Sequence, residues 1–169
     1  MDESSVQLHR DLQDSIHRAF ATQRPVLTHL NADTTWLLQI PYPQHALPAS
    51  GRTHFNILID PWLQGPQSDI ASWFSKQWHV VEPSVKTIAD LDDRLRDVQE
   101  MTQSSSGSRR TSRKLAGRAV PPRSYIDVVV ISHEFTDHCH RETLEQVDRE
   151  VPILATAVST RRSLLVATR

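Results

Sequence analysis

Residues 126–140, Ile-Asp-Val-Val-Val-Ile-Ser-His-Glu-Phe-Thr-Asp-His-Cys-His, constrain the fold of this chain more than any other stretch. The apolar run Val128–Ile131 is short and rich in β-branched residues, which is typical of a strand buried in a sheet. The run stops at Ser132, and the next eight residues contain three His, one Asp, one Glu and the single Cys of the chain. Loops at strand ends are where rigid scaffolds carry their chemistry. The pattern therefore predicts a divalent-metal site on this loop.

Three of the candidate ligands follow the spacing His-x-x-x-Asp-His, namely His133, Asp137 and His138. Imidazole and carboxylate donors suit zinc, iron and manganese, so the residue types do not select one metal. His140 is the substitute ligand that we would consider first, with Cys139 behind it. A second interpretation makes the stretch a polar surface loop, in which Asp137 caps a helix that begins at Glu142.

The same spacing resembles the His-x-His-x-Asp-His signature of the metallo-β-lactamase superfamily, with Phe135 in the place of the second His. Carried over by residue, the resemblance assigns His133 to the first metal position, and Asp137 and His138 to the second. It implies a divalent cofactor, with zinc the leading candidate, and a catalytic role for Asp137 in orienting a metal-bound hydroxide. A phenyl ring cannot bind a metal, so Phe135 removes one donor from the first position.

A second point of resemblance is the stretch Asn-Ile-Leu-Ile-Asp-Pro-Trp-Leu at residues 56–63. It is similar to an early strand in the superfamily branch that contains ascorbate-phosphate lactonases and N-acyl-phosphatidylethanolamine phospholipases. The resemblance implies that Asp60 lies near the metal loop and orders it, since outer carboxylates orient metal-bound imidazoles. Asp60 also fits a simple turn or cap before Pro61. Both interpretations stay open from the sequence.

These resemblances imply an α/β fold that corresponds to the first half of an αββα sandwich. We expect an N-terminal helix in 1–25, the first strands and a helix in 26–102, a flexible basic insertion in 103–124, and the motif strand, loop, helix and next strand in 125–169. Hydrophobic spacing predicts helices at 6–20, 88–101 and 142–150, and strands at 26–30, 35–40, 55–59, 128–131 and 151–155. The second-half ligands of the family would lie beyond Arg169. One sheet face should then lack its partner layer, which favours self-association.

Composition sets outer limits on partners and compartment. Lys+Arg 19 against Asp+Glu 20 gives no overall electrostatic signal for nucleic acid or membrane. One Cys excludes an internal disulfide and fits a reducing compartment, and neither a signal peptide nor a membrane span is evident, so we expect a cytoplasmic protein. The acid-free tract 103–123 favours a solvated loop, with a nucleic-acid contact or a kinase site at Ser112 as weaker alternatives. The aromatic cluster of Trp73, Phe74 and Trp78 is expected in the core, or in the wall of an apolar substrate pocket.

Three functional interpretations follow. The first is a metal-dependent hydrolase of a small ester, lactone or phosphodiester, which the motif favours by ancestry. The second is a noncatalytic homologue, which Phe135 and the short chain favour by chemistry. The third is a binding or regulatory protein that uses an exposed sheet face or the basic tract.

Overall fold

The computed structural model describes residues 3–48, 50–68, 73, 76–105 and 122–156. Its helices are α1 (Glu3–Ala21), α2 (Ile88–Ser105) and the single turn α3 (Arg141–Leu144), with a 3-10 turn at Gln44–Ala46. Its strands are β1 (Val26–His29), β2 (Trp36–Pro41), β3 (His54–Ile59), β4 (Val128–Ile131) and β5 (Ile153–Ala155). The predicted mixed α/β class is confirmed.

The five strands form one mixed sheet in the order β1-β2-β3-β4-β5. Strand β2 pairs antiparallel with both β1 and β3, whereas β4 pairs parallel with both β3 and β5. Parallel strands end at the same edge of a sheet, so the residues after β3 and β4 meet there. Asp60 and Ser132 occupy those two positions.

The core lies between one face of the sheet and the helices. Leu58 and Val129 on that face are fully buried, together with the apolar side of α2. The α2 residues Ile88, Leu91 and Leu95 recur at helical spacing, which places all three against the sheet. Burial of these aliphatic side chains fixes which sheet face is internal.

A largely buried ion pair joins the beginnings of β3 and β4. Arg52 donates to both carboxylate oxygens of Asp127, at 2.7 and 2.6 Å, and to the Tyr125 carbonyl at 2.6 Å. The Asp127 carboxylate also accepts a hydrogen bond from the Asn56 backbone N–H at 2.7 Å. This network fixes the register in which β3 and β4 present their far ends to the loop.

The structure corrects two predictions. The helix predicted at 142–150 is only the turn α3. After this turn the chain winds more tightly, because the N–H groups of Gln146 and Val147 donate to the carbonyls three residues earlier, those of Thr143 and Leu144. Trp73 and Trp78 are 86% and 60% exposed, so their predicted place in the core is wrong. Phe74 lies outside the described residues.

Helix α2 continues to Ser105, so its last three residues fall within the segment that was predicted as the basic insertion. Residues 106–121, with Ser112, and residues 157–169 lie outside the described part of the chain. None of the described helices combines the length and apolar character that a membrane span requires.

Candidate functional site

The site is built around Asp60, which directly follows β3. Its backbone adopts φ +48°, in the left-handed region that few residues other than Gly, Asn and Asp occupy. Its N–H still continues the sheet by donating to the Val130 carbonyl at 2.9 Å. The left-handed turn, followed by Pro61, directs a buried carboxylate towards the end of β4.

That carboxylate holds the beginning of the loop. The Ser132 N–H donates to Asp60 Oδ1 at 2.7 Å, and the Ser132 hydroxyl donates to Oδ2 at 2.6 Å. His138 Nδ1 lies 2.9 Å from the same Oδ2. An ionised carboxylate only accepts hydrogen bonds, so we assign the proton of a neutral His138 to Nδ1. Nε2 then carries the free lone pair that a metal or a proton would take.

One donor atom of Asp137 lies close to one of His138. His138 Nε2 lies 3.5 Å from Asp137 Oδ2. Two donors that are each about 2.0–2.2 Å from a tetrahedral ion would lie about 3.3–3.6 Å apart. The Thr34 hydroxyl donates to the Asp137 carbonyl at 2.5 Å and fixes the loop from the side of β2. The separation of the two atoms therefore lies within the range of two ligands of one cation.

His133 does not complete this set. Its Nδ1 lies 3.4 Å from Glu134 Oε2, and its ring packs on Phe135 with the centroids 4.5 Å apart. The His133 and His138 ring centroids are 5.7 Å apart. Within the residues that the structure describes, no three His, Cys, Asp or Glu side chains are arranged to hold a metal ion. A catalytic zinc needs three protein ligands, so the described residues do not form a catalytic zinc centre as they are arranged here.

His140 is buried, and other partners engage both of its ring nitrogens. Nδ1 lies 2.9 Å from the Thr143 hydroxyl, and Nε2 lies 3.0 Å from Glu142 Oε2 and 3.4 Å from the Pro66 carbonyl. Burial lowers the pKa of His140, although the Glu142 carboxylate opposes that shift. Cys139 is buried in the apolar core. The use of either residue as a substitute ligand stays a prediction.

Sequence reasoning missed two residues beside the loop. The His79 ring packs on Trp62 with the centroids 3.9 Å apart, and its Nδ1 lies 3.6 Å from the Asp33 carboxylate. Burial lowers the pKa of His79. Gln67 accepts a hydrogen bond from the Thr136 hydroxyl and pairs with Gln77 through both backbones. Neither residue belongs to a periodic pattern or a ligand spacing, so the sequence carried no signal for them.

Searches of protein-family models, curated proteins and solved structures give no significant match to this chain. The resemblance to the metallo-β-lactamase superfamily therefore depends on the motif residues themselves.

Proposed function

We propose that this chain is a divergent, noncatalytic homologue of the metallo-β-lactamase hydrolases, which keeps a two-donor remnant of the metal site. One observation carries the proposal. Asp60 orients His138 so that its Nε2 faces the Asp137 carboxylate at 3.5 Å, whereas His133 contacts its own neighbours Glu134 and Phe135.

The chemistry of the donors explains why such a site would bind a cation without turnover. Asp137 and His138 hold a divalent cation weakly, because each missing ligand leaves the metal to water and leaves the ordering cost of the loop uncompensated. The hydroxide-orienting role that the resemblance gives to Asp137 requires a complete metal centre. The proposal therefore assigns Asp137 to binding alone.

The arrangement of the sheet supports the proposed ancestry. Antiparallel strands β1–β3 lead into parallel strands β3–β5, and the polar loop follows the strand that pairs in parallel with β3. We propose that this sheet corresponds to the first half of the αββα sandwich. Its ancestral chemistry would be hydrolysis of an ester, lactone or phosphodiester.

The test is turnover. Purified chain with added zinc or manganese is assayed on generic ester and phosphodiester substrates beside a His133→Ala/Asp137→Ala double variant. We expect equal rates, and we expect that Phe135→His alone confers no activity. His45→Ala, in the 3-10 turn and outside the loop, controls for effects of histidine removal. Metal-dependent turnover that the double variant loses, and that His45→Ala retains, would restore the hydrolase interpretation.

A further inference from the structure

The two faces of the sheet differ sharply. On the face that meets α2, Leu58 and Val129 are fully buried. Phe20 of α1 packs edge-on against His54 of that same face, with ring centroids 4.7 Å apart. Both long helices therefore contact the same side of the sheet.

The strand register assembles that opposite side into a continuous apolar surface, which we name the open sheet face. Directly paired residues project to the same side of a sheet, so the pairs can be followed from strand to strand. One row contains His29, Trp36, Ile59, Val130 and Leu154. A second row contains Leu27, Leu38, Ile57 and Val128, and a shorter third row contains Ile40 and Phe55.

These three rows contain no Asp, Glu, Lys or Arg, and His29 is their one titratable side chain. At the two edges Leu154 and Leu27 are 59% and 57% exposed, and most of the residues between them are half-buried. His29 stacks on Trp36 with the centroids 4.0 Å apart, and Tyr42 packs edge-on against Phe55. The open sheet face is thus an aliphatic surface with an aromatic rim. Apolar surfaces of this kind on a monomer mark interaction sites.

The dimensions of the face restrict what can cover it. The five strands have three to six residues each and lie about 4.8 Å apart, so at about 3.3 Å per residue the face is roughly 24 Å wide and about 10–20 Å long, or about 360 Å². A single helix about 10 Å across would cover less than half of that width. Edge pairing offers little instead, because β1 and β5 have only four and three residues. The matching partner is another apolar sheet of similar width, packed at about 10 Å.

We propose that a second copy of this chain supplies that sheet, and that two open sheet faces pack against each other about a two-fold axis. The face is uncharged, so two copies meet without electrostatic repulsion, and an isologous contact closes after two copies. Together they would cover about 720 Å², which is well below the range of stable interfaces and limits the pair to a weak, reversible dimer. This inference goes beyond the proposed loss of catalysis and does not depend on it.

The experiment is sedimentation equilibrium of the full chain over a wide concentration range. We expect a monomer–dimer equilibrium for the wild type. Leu27→Lys/Leu154→Lys changes two largely exposed edge residues, so the monomer should still fold. We expect this variant to raise the dissociation constant of the dimer at least 10-fold. Ile57→Lys at the centre of the face should abolish the dimer. Val80→Lys changes a fully exposed residue outside the rows and should leave association unchanged.

Several results would overturn the proposal. They are a wild type that stays monomeric at every concentration, association that continues beyond the dimer, and a dimer that the folded Leu27→Lys/Leu154→Lys variant retains at full strength. Circular dichroism of each variant establishes that it is folded. If Ile57→Lys does not fold, the double edge variant decides the question alone.

Discussion

Replacing Asp60 by Ala should destabilise the protein strongly, because one carboxylate secures the whole beginning of the loop. The substitution removes the acceptor of three hydrogen bonds, from the Ser132 N–H, the Ser132 hydroxyl and His138 Nδ1. It also leaves the left-handed backbone at φ +48° without the residue type that tolerates it.

The magnitude follows from the contacts. A hydrogen bond to a charged group contributes about 1.5–3 kcal/mol, but the three bonds share one group and are not additive. Ser132 is exposed and His138 is half-buried, so both can turn partly to water after the change. We therefore expect the free energy of unfolding to fall by about 2–4 kcal/mol for Asp60→Ala. Asp60→Asn keeps one acceptor oxygen and tolerates the left-handed backbone, so it should cost about half as much.

Urea unfolding followed by circular dichroism measures both losses. Nitrogen-15 NMR of the His138 ring adds a local measurement: we expect Nδ1–H in the wild type and a shift towards Nε2–H in Asp60→Asn, whose amide donates where the carboxylate accepted. An Asp60→Ala variant within about 0.5 kcal/mol of the wild type would show that the Asp60 carboxylate does not secure the loop. An unchanged His138 tautomer in Asp60→Asn would refute the proposed orientation of the ring.

Two further predictions concern the scaffold. Arg52→Ala should cost about 3–5 kcal/mol because it leaves the largely buried Asp127 carboxylate without its cation. In the same urea assay, Arg52→Ala/Asp127→Ala should cost clearly less than the sum of the single changes. Burial lowers the pKa of His54 below its ordinary 6.5. The unfolded chain then binds more protons than the folded one, so the contribution of His54 is full above pH 6.5 and is lost as the pH falls towards the folded pKa. Unfolding measured between pH 7.5 and 5.5 should show this decline, and His54→Phe should reduce its slope; an unchanged slope would contradict the assignment.

The strands of the sheet could be predicted from the sequence because their side-chain pattern is local. The run Val128–Ile131 contains four consecutive β-branched residues, and β3 differs from its prediction by one residue at its start. The helix predicted at 142–150 failed because Leu144 and Val147 fit helical spacing equally well when the chain turns through i to i+3 bonds. The predicted burial of Trp73 and Trp78 was wrong because aromatic residue type predicts burial only on average.

The site was predictable only in part. The contact between Asp60 and the loop follows from the parallel pairing of β3 with β4, which no local pattern in the sequence specifies and which came from the family resemblance. Spacing also cannot fix the direction of a side chain in a loop. His133 and His138 stand equally well in the motif, yet only His138 reaches Asp60 and Asp137.

The most direct test of the two-donor site is zinc affinity, measured by competition with a chromophoric chelator. Structural zinc sites with four ligands contribute about 10–16 kcal/mol. Two donors should supply roughly half of that, about 5–8 kcal/mol, which corresponds to a Kd from about 1 μM to a few hundred μM. We predict an affinity in that range, which His138→Ala weakens further and His133→Ala leaves unchanged. Nanomolar, stoichiometric binding that is lost on His133→Ala would contradict the account, because it would show that His133 completes a full metal centre.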